Sequence, residues 1–114
     1  MTTRIFHNPR CSKSRQTLQL LQERGIKPEI IEYLQNAPTA SELDSILHKL
    51  DKEPMELMRK GEDEFKEHIK GRDLSRSELI ALMVQYPKLI ERPIVLHGDK
   101  AALGRPPESV LEIL

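Results

Sequence analysis

The chain has 114 residues, and its 18 basic and 18 acidic side chains give a formal net charge of zero with the histidines neutral. That length suits a single domain, residues 1–114, and the even balance excludes a whole-domain electrostatic footprint for nucleic acid or an anionic membrane. No apolar run approaches the roughly 18 residues of a membrane span and none follows the Met1, Thr2, Thr3, Arg4 start; a lone cysteine, Cys11, excludes an internal disulfide and a multi-cysteine zinc site, so a cytoplasmic protein without a metal is expected.

In chain order, Arg4 to His7 reads as a short first strand, stopped by Asn8 and Pro9 because proline lacks a ladder donor and Asn-Pro favours a turn. Ser12 to Arg24 carries Thr17, Leu18, Leu20 and Leu21 at helical spacing, with Gly25 standing where a helix C-terminus takes a left-handed residue. Cys11 therefore opens that helix. Glu29 to Tyr33, after Pro28, reads as a second strand, and the β-α-β order implies a parallel pair with a right-handed crossover.

Thr39 with Glu42 and Ser75 with Glu78 are both capping boxes, each leading into an apolar helical pattern: Leu43, Ile46, Leu47 and Leu50, then Leu79, Ile80, Leu82 and Met83. Between them Pro54 to Met58 suggests a short helix with proline in its first turn, and the charged stretch from Glu62 to Arg72 is a solvated helix at most. Pro93 to His97, a Gly98-Asp99 turn and Lys100 to Leu103 read as a β-hairpin, and a final short helix runs from Glu108 to Leu114. The order is that of an α/β, thioredoxin-like domain with a helical insertion before the C-terminal β-hairpin, and by itself it says nothing about chemistry.

The zero net charge conceals an asymmetry. Residues 1–25 hold Arg4, Arg10, Lys13, Arg15 and Arg24 against Glu23 alone, a charge of +4 around Cys11 that leaves −4 on the other 89 residues. A lone cysteine is commonly a small buried hydrophobe. A basic, proline-bounded turn at a helix N-terminus instead favours a thiolate with a lowered pKa. His7 fits two readings, a structural residue at a strand end or one whose proton acts on the thiol. Ser14 stands where a C-x-x-C protein has its second cysteine, so any mixed disulfide on Cys11 needs an external thiol to resolve it. Its hydroxyl either donates to the thiolate or serves the first helical turn. A phosphatase-type C-x5-R loop would place arginine at Thr17, so an oxyanion must be held by arginines from elsewhere.

A two-residue turn at Gly98-Asp99 sets Arg92 opposite Arg105 at the open end of the hairpin. Like charges there destabilise a sheet unless an anion bridges them; the other reading is two solvated arginines neutralised by Glu91 and Glu108. Arg59, beside Lys60, has a weaker case, because a basic helix C-terminus is an ordinary macrodipole preference.

These segments resemble the glutaredoxin-coupled arsenate reductases over essentially the whole chain. His7, Asn8, Pro9, Arg10 and Cys11 with Ser14 and Arg15 are similar to that family's nucleophile loop, and Leu57, Met58, Arg59 and Lys60 to its first arginine segment. Glu91 to Val95 and Gly104 to Glu108, the latter with Val110 to Ile113, resemble the second and third. The resemblance implies a thioredoxin-like fold in which Pro93 is a cis-proline facing the nucleophile. It implies reduction of arsenate to arsenite with Cys11 as nucleophile, Arg59, Arg92 and Arg105 as catalytic, substrate-binding clamp, and His7, Ser14 and Arg15 stabilising the thiolate. No cofactor would be tightly bound; glutathione would be co-substrate and glutaredoxin the resolving partner of a monomer. Ser12 and Lys13 replace the glycine-threonine pair of well-known members, and the chain lacks their longer tail, departures that suit a sister branch with another physiological substrate. Two alternatives follow: a glutathione-linked thiol oxidoreductase acting on something other than arsenate, and a non-enzymatic regulator of the same superfamily that binds RNA polymerase. The missing second cysteine and the retained arginines count against the regulator.

Overall fold

The computed structural model describes residues 2–114, so Met1 lies outside them. Their packing gathers into two compact units, residues 2–36 with 92–114, and residues 37–91.

The first unit contains strand β1 (Thr3–His7), helix α1 (Ser12–Glu23), strand β2 (Glu29–Glu32), strands β3 (Ile94–His97) and β4 (Lys100–Leu103), and a 3-10 segment over Pro107–Ile113. The sheet order is β2-β1-β3-β4, with β1 and β2 parallel and the other pairs antiparallel. Side chains alternate across a strand, so the register that pairs Ile5 with Val95 and Val95 with Ala102 puts all three on one face. There Ile5, Val95, Leu21 of α1 and Val110 of the 3-10 segment form a fully buried cluster, with Leu18, Leu20, Ile26, Ala102, Ile113 and Leu114 packed partly buried around it. On the other face Phe6, Ile94 and Leu96 are also buried, and the Arg4 guanidinium lies 5.7 Å from the Phe6 ring centroid.

The helix over Ser12–Arg24 is present, but its inward stripe differs from the leucine-rich one the spacing suggests. Ser14, Thr17 and Leu21 are buried, while Leu18 and Leu20 are half-buried. Small hydroxyl residues thus line the inner face of its first turns. Gly25 takes φ +75° just beyond the helix and Gly98 takes φ +61° at the first central position of the hairpin turn, as a turn matched to right-twisted strands requires. The second strand stops at Glu32, one residue short of expectation, with Tyr33 buried in the turn that follows. As an edge strand, β2 leaves Ile30 47% exposed.

The second unit contains α2 (Ala40–Leu50), a 3-10 turn over Pro54–Leu57, α3 (Asp63–His68), α4 (Arg76–Gln85) and a 3-10 turn over Pro87–Leu89. Both capping boxes form. Thr39 Oγ1 accepts the Glu42 N–H at 3.1 Å and Glu42 Oε1 accepts the Thr39 N–H at 3.0 Å; Ser75 and Glu78 repeat the exchange at 3.2 and 3.0 Å. Helix α2 packs on α4, where Leu43, Ile46 and Leu47 and then Leu79, Ile80 and Met83 are the buried side chains. Arg76 ties the two together, donating to Asp44 at 3.0 and 3.2 Å and to Glu53 at 3.1 Å. The charged stretch Glu62–Arg72 departs from the solvated reading: Phe65 and Ile69, one helical turn apart, are buried, which is enough apolar stripe to seat a short helix. No described helix is long and apolar enough to cross a membrane.

Leu21 joins α1 to the sheet through the fully buried cluster, so Leu21→Ala should lower stability by about 3 kcal/mol in urea denaturation. A loss below about 1 kcal/mol, the scale of an ordinary mutation, would show that this cluster does not hold the unit together.

Candidate active site

β1, between β2 and β3, delivers His7 at its C-terminal end, and the Asn8-Pro9 turn then reverses the chain into α1. Four hydrogen bonds shape the turn. Asn8 O accepts the Cys11 N–H at 3.0 Å, Asn8 Oδ1 accepts the Arg10 N–H at 3.0 Å, Arg15 Nη1 donates to Pro9 O at 2.9 Å, and Ser14 Oγ accepts the Asn8 N–H at 3.0 Å. Ser14 Oγ also lies 2.6 Å from His7 Nδ1. The Asn8 N–H occupies one of the two lone pairs of the hydroxyl, and the short contact ties the His7 ring to the first turn of α1 whichever of the two groups donates. Burial holds the His7 pKa below its ordinary 6.5; Glu32, its register partner on β2, pulls the other way, and the Arg15 charge lowers it further.

Cys11 takes the N-cap position of α1 in an extended conformation (φ −94°, ψ 123°), and its side chain is buried. Its side chain makes no capping hydrogen bond of ordinary geometry, a neutral thiol being a weak acceptor. A thiolate is a far better acceptor. Burial pushes the Cys11 pKa up, but the Ser14 N–H, the Arg92 charge, the Lys13 N–H and a hydrogen bond from the Arg92 side chain together push it further down, so the net shift is toward the thiolate.

Arg92 reaches the sulfur from the hairpin. The observed pairing of Ile94 with Leu103 is the register that sets Arg92 opposite Arg105, and Arg105 Nη1 donates to Arg92 O at 3.3 Å. The Arg92-Pro93 bond is cis, as the family resemblance implies; the Arg105-Pro106 bond is cis as well, which the sequence reading did not anticipate. The first unit thus assembles His7, Cys11, Ser14, Arg15, Arg92 and Arg105.

Arg59 belongs to the second unit and is placed differently from the helix C-terminus the sequence suggests. Pro54–Leu57 is a single 3-10 turn, the chain is extended at Met58, and Met58 bridges Ile90. The Arg59 N–H donates to Leu89 O at 2.8 Å, and its guanidinium lies 3.7 Å from Glu62 and 3.8 Å from Glu91.

Two thiolate-stabilising residues act otherwise than their side chains suggest. The Ser14 hydroxyl is engaged by His7 and Asn8, so what it gives the sulfur is its backbone N–H. The Arg15 guanidinium fastens the loop carbonyl of Pro9 and depresses the His7 pKa. Four further residues complete the arrangement: Asn8, which bonds three loop positions; Glu32, facing His7; and Thr17 and Gly104, in contact beneath the hairpin end. Asn8 and Gly104 lie in segments that carry the family resemblance, without a role of their own there, and Glu32 and Thr17 are placed by the parallel register and by a contact between distant segments, which only the fold sets. Among the described residues no three His, Cys, Asp or Glu side chains gather as a metal site.

The first unit is a thioredoxin-like sheet whose first helix opens on a cysteine held toward its thiolate, with the Arg92 guanidinium at the sulfur and a cis bond joining Arg92 to Pro93. The ArsC family profile matches residues 6–113. The chain is 50% identical over 113 residues to the uncharacterized protein YfgD of Escherichia coli, covering 97% of this chain and 95% of that one. It is 48% identical to the arsenate reductase of Haemophilus influenzae over 116 residues and the full length of both. A solved structure described as arsenate reductase from Vibrio cholerae superposes with a TM-score of 0.95 at 48% identity, covering 100% of this chain and 98% of that one. The chain belongs to the ArsC family.

Two measurements check this electrostatic account. Alkylation of Cys11 by iodoacetamide should titrate with a midpoint below that of a free thiol, and Arg92→Ala should move it upward; an unchanged midpoint would remove Arg92 from the set of thiolate stabilisers. His7 resists protonation in the fold while the unfolded chain accepts the proton near pH 6.5, so this residue destabilises the fold as pH drops below 6.5. The urea midpoint should therefore fall more steeply below pH 6.5 in the wild type than in His7→Gln, and parallel curves would contradict it.

Proposed function

We propose that the protein reduces arsenate to arsenite. The observation that carries the reading is the pairing of a sulfur held toward its thiolate with Arg92, itself bonded through its backbone to Arg105. A single site thereby favours two anions, the nucleophile and the oxyanion it attacks. The names of relatives matched across nearly the whole chain support arsenate as that oxyanion.

On this reading the Cys11 thiolate attacks arsenic, and one arsenate oxygen leaves as water with a proton from solvent. The thiolate of glutathione then joins the Cys11 sulfur; the two sulfurs give up two electrons, As(V) becomes As(III), and arsenite departs. The sum is arsenate, the Cys11 thiol and one glutathione going to arsenite, water and a Cys11-glutathione disulfide. With Ser14 at the resolving position, a glutaredoxin thiolate attacks the glutathione sulfur and frees Cys11. Arg92 and Arg105 hold the oxyanion charge, and Arg59 is given the same role on the resemblance of its segment alone.

Arsenite formation measured with glutathione and glutaredoxin should vanish in Cys11→Ser. In Arg92→Ala and Arg105→Ala kcat/KM should fall roughly a hundredfold, as for loss of one preorganised oxyanion donor. Undiminished turnover in Cys11→Ser would refute the reading.

A further inference from the structure

Gly104 immediately precedes Arg105 and is buried. Its φ lies outside the left-handed region, so the backbone there is one that any residue adopts. What excludes a side chain is space. A Cβ on Gly104 would fall 2.5 Å from Thr17 Oγ1, 2.8 Å from Pro93 Cγ and 3.1 Å from Thr17 Cγ2. The neighbours have little room to give. Thr17 is fully buried and its hydroxyl donates to Lys13 O at 2.8 Å, while the Gly104 N–H donates to Pro93 O at 2.8 Å.

The contact joins the two halves of the site within the first unit. Thr17 lies one helical turn beyond Ser14, on the helix whose first turn carries Cys11. Pro93 follows Arg92, and Gly104 precedes Arg105. We propose that Gly104 is a positioning residue for the oxyanion: its bare backbone seats the hairpin end directly on Thr17 and so fixes the reach of Arg105 toward the Cys11 sulfur. Any side chain at 104 wedges the hairpin end away from α1 and carries Arg105 with it. Small misplacements of a clamp lower binding steeply, because its hydrogen bonds depend on heavy-atom distance and angle.

The inference rests on the oxyanion reading above, and its test separates the two. On the full chain, without glutathione or glutaredoxin, arsenate protection of Cys11 against iodoacetamide gives an apparent affinity, and steady-state turnover then divides KM from kcat. Gly104→Ala should weaken arsenate protection about tenfold or more and raise KM more than it lowers kcat, while remaining folded by denaturation. Adding Thr17→Ala removes two of the three close atoms and should recover most of the lost affinity, giving a non-additive double-mutant cycle. If Gly104→Ala does not fold, the double variant carries the test and should fold and bind arsenate. Wild-type protection with Gly104→Ala within twofold of it would overturn the positioning role and leave the functional reading intact. So would a double variant with no recovery, or one that fails to fold or folds without binding. A wild-type protein that arsenate does not protect would overturn both.

Discussion

A sulfur that is to attack an anion must be charged, and a buried sulfur resists charge. This conflict sits at Cys11, whose burial raises the thiol pKa and whose surroundings must more than offset it. The first turn of α1 supplies the offset with the N–H groups of Lys13 and Ser14, and the hairpin supplies the Arg92 guanidinium. Neither source works unless the loop between β1 and α1 keeps the sulfur in place. Asn8 does this through the chain itself, with its carbonyl on Cys11, its side chain on Arg10 and its N–H on Ser14. The Ser14 hydroxyl extends the brace to His7, which sits neutral at the end of β1.

The arginines depend on a different constraint, the register of a hairpin of two four-residue strands. Its two-residue turn fixes every pair from His97-Lys100 to Ile94-Leu103, and just beyond the last pair the Gly104 N–H donates to Pro93 O and Arg105 Nη1 to Arg92 O. Arg92 and Arg105 thus leave the hairpin end together, and like charges there oppose each other unless an anion lies between them, as the proposed oxyanion would. The tight seat of Gly104 on Thr17 then relates the hairpin to the cysteine helix.

Much of this was legible in the sequence, because it is local. Capping boxes, the Gly25 stop, the Gly98 turn and the period-2 strands lie within a few residues of their own signals. Arg92 facing Arg105 followed from counting back from the turn. What escaped was decided by partners distant in sequence or by choices between atoms. Thr17 read as part of an apolar stripe and Gly104 only as the start of a segment carrying the resemblance, since their contact joins opposite ends of the chain. The Ser14 hydroxyl read either as a donor to the sulfur or as a first-turn group, because spacing places a residue near an atom without deciding whether its hydroxyl or its N–H makes the bond. Phe65 and Ile69 were hidden by the charged residues around them, although two apolar positions a turn apart suffice to bury one face of a short helix. Arg59 was misplaced on a helix end because a 3-10 turn ends sooner than an α-helix would.

The central claim is that Cys11 is one of the two thiols oxidised for each arsenate reduced and cannot recover alone. A single-turnover reaction with arsenate and glutathione, without glutaredoxin, tests it most directly when arsenite and the intact protein mass are read together. The account predicts a burst of one arsenite per Cys11, then a stall with every chain carrying one glutathione in disulfide linkage, relieved on adding glutaredoxin. Continued turnover without glutaredoxin, or arsenite formed while Cys11 stays unmodified, would contradict it.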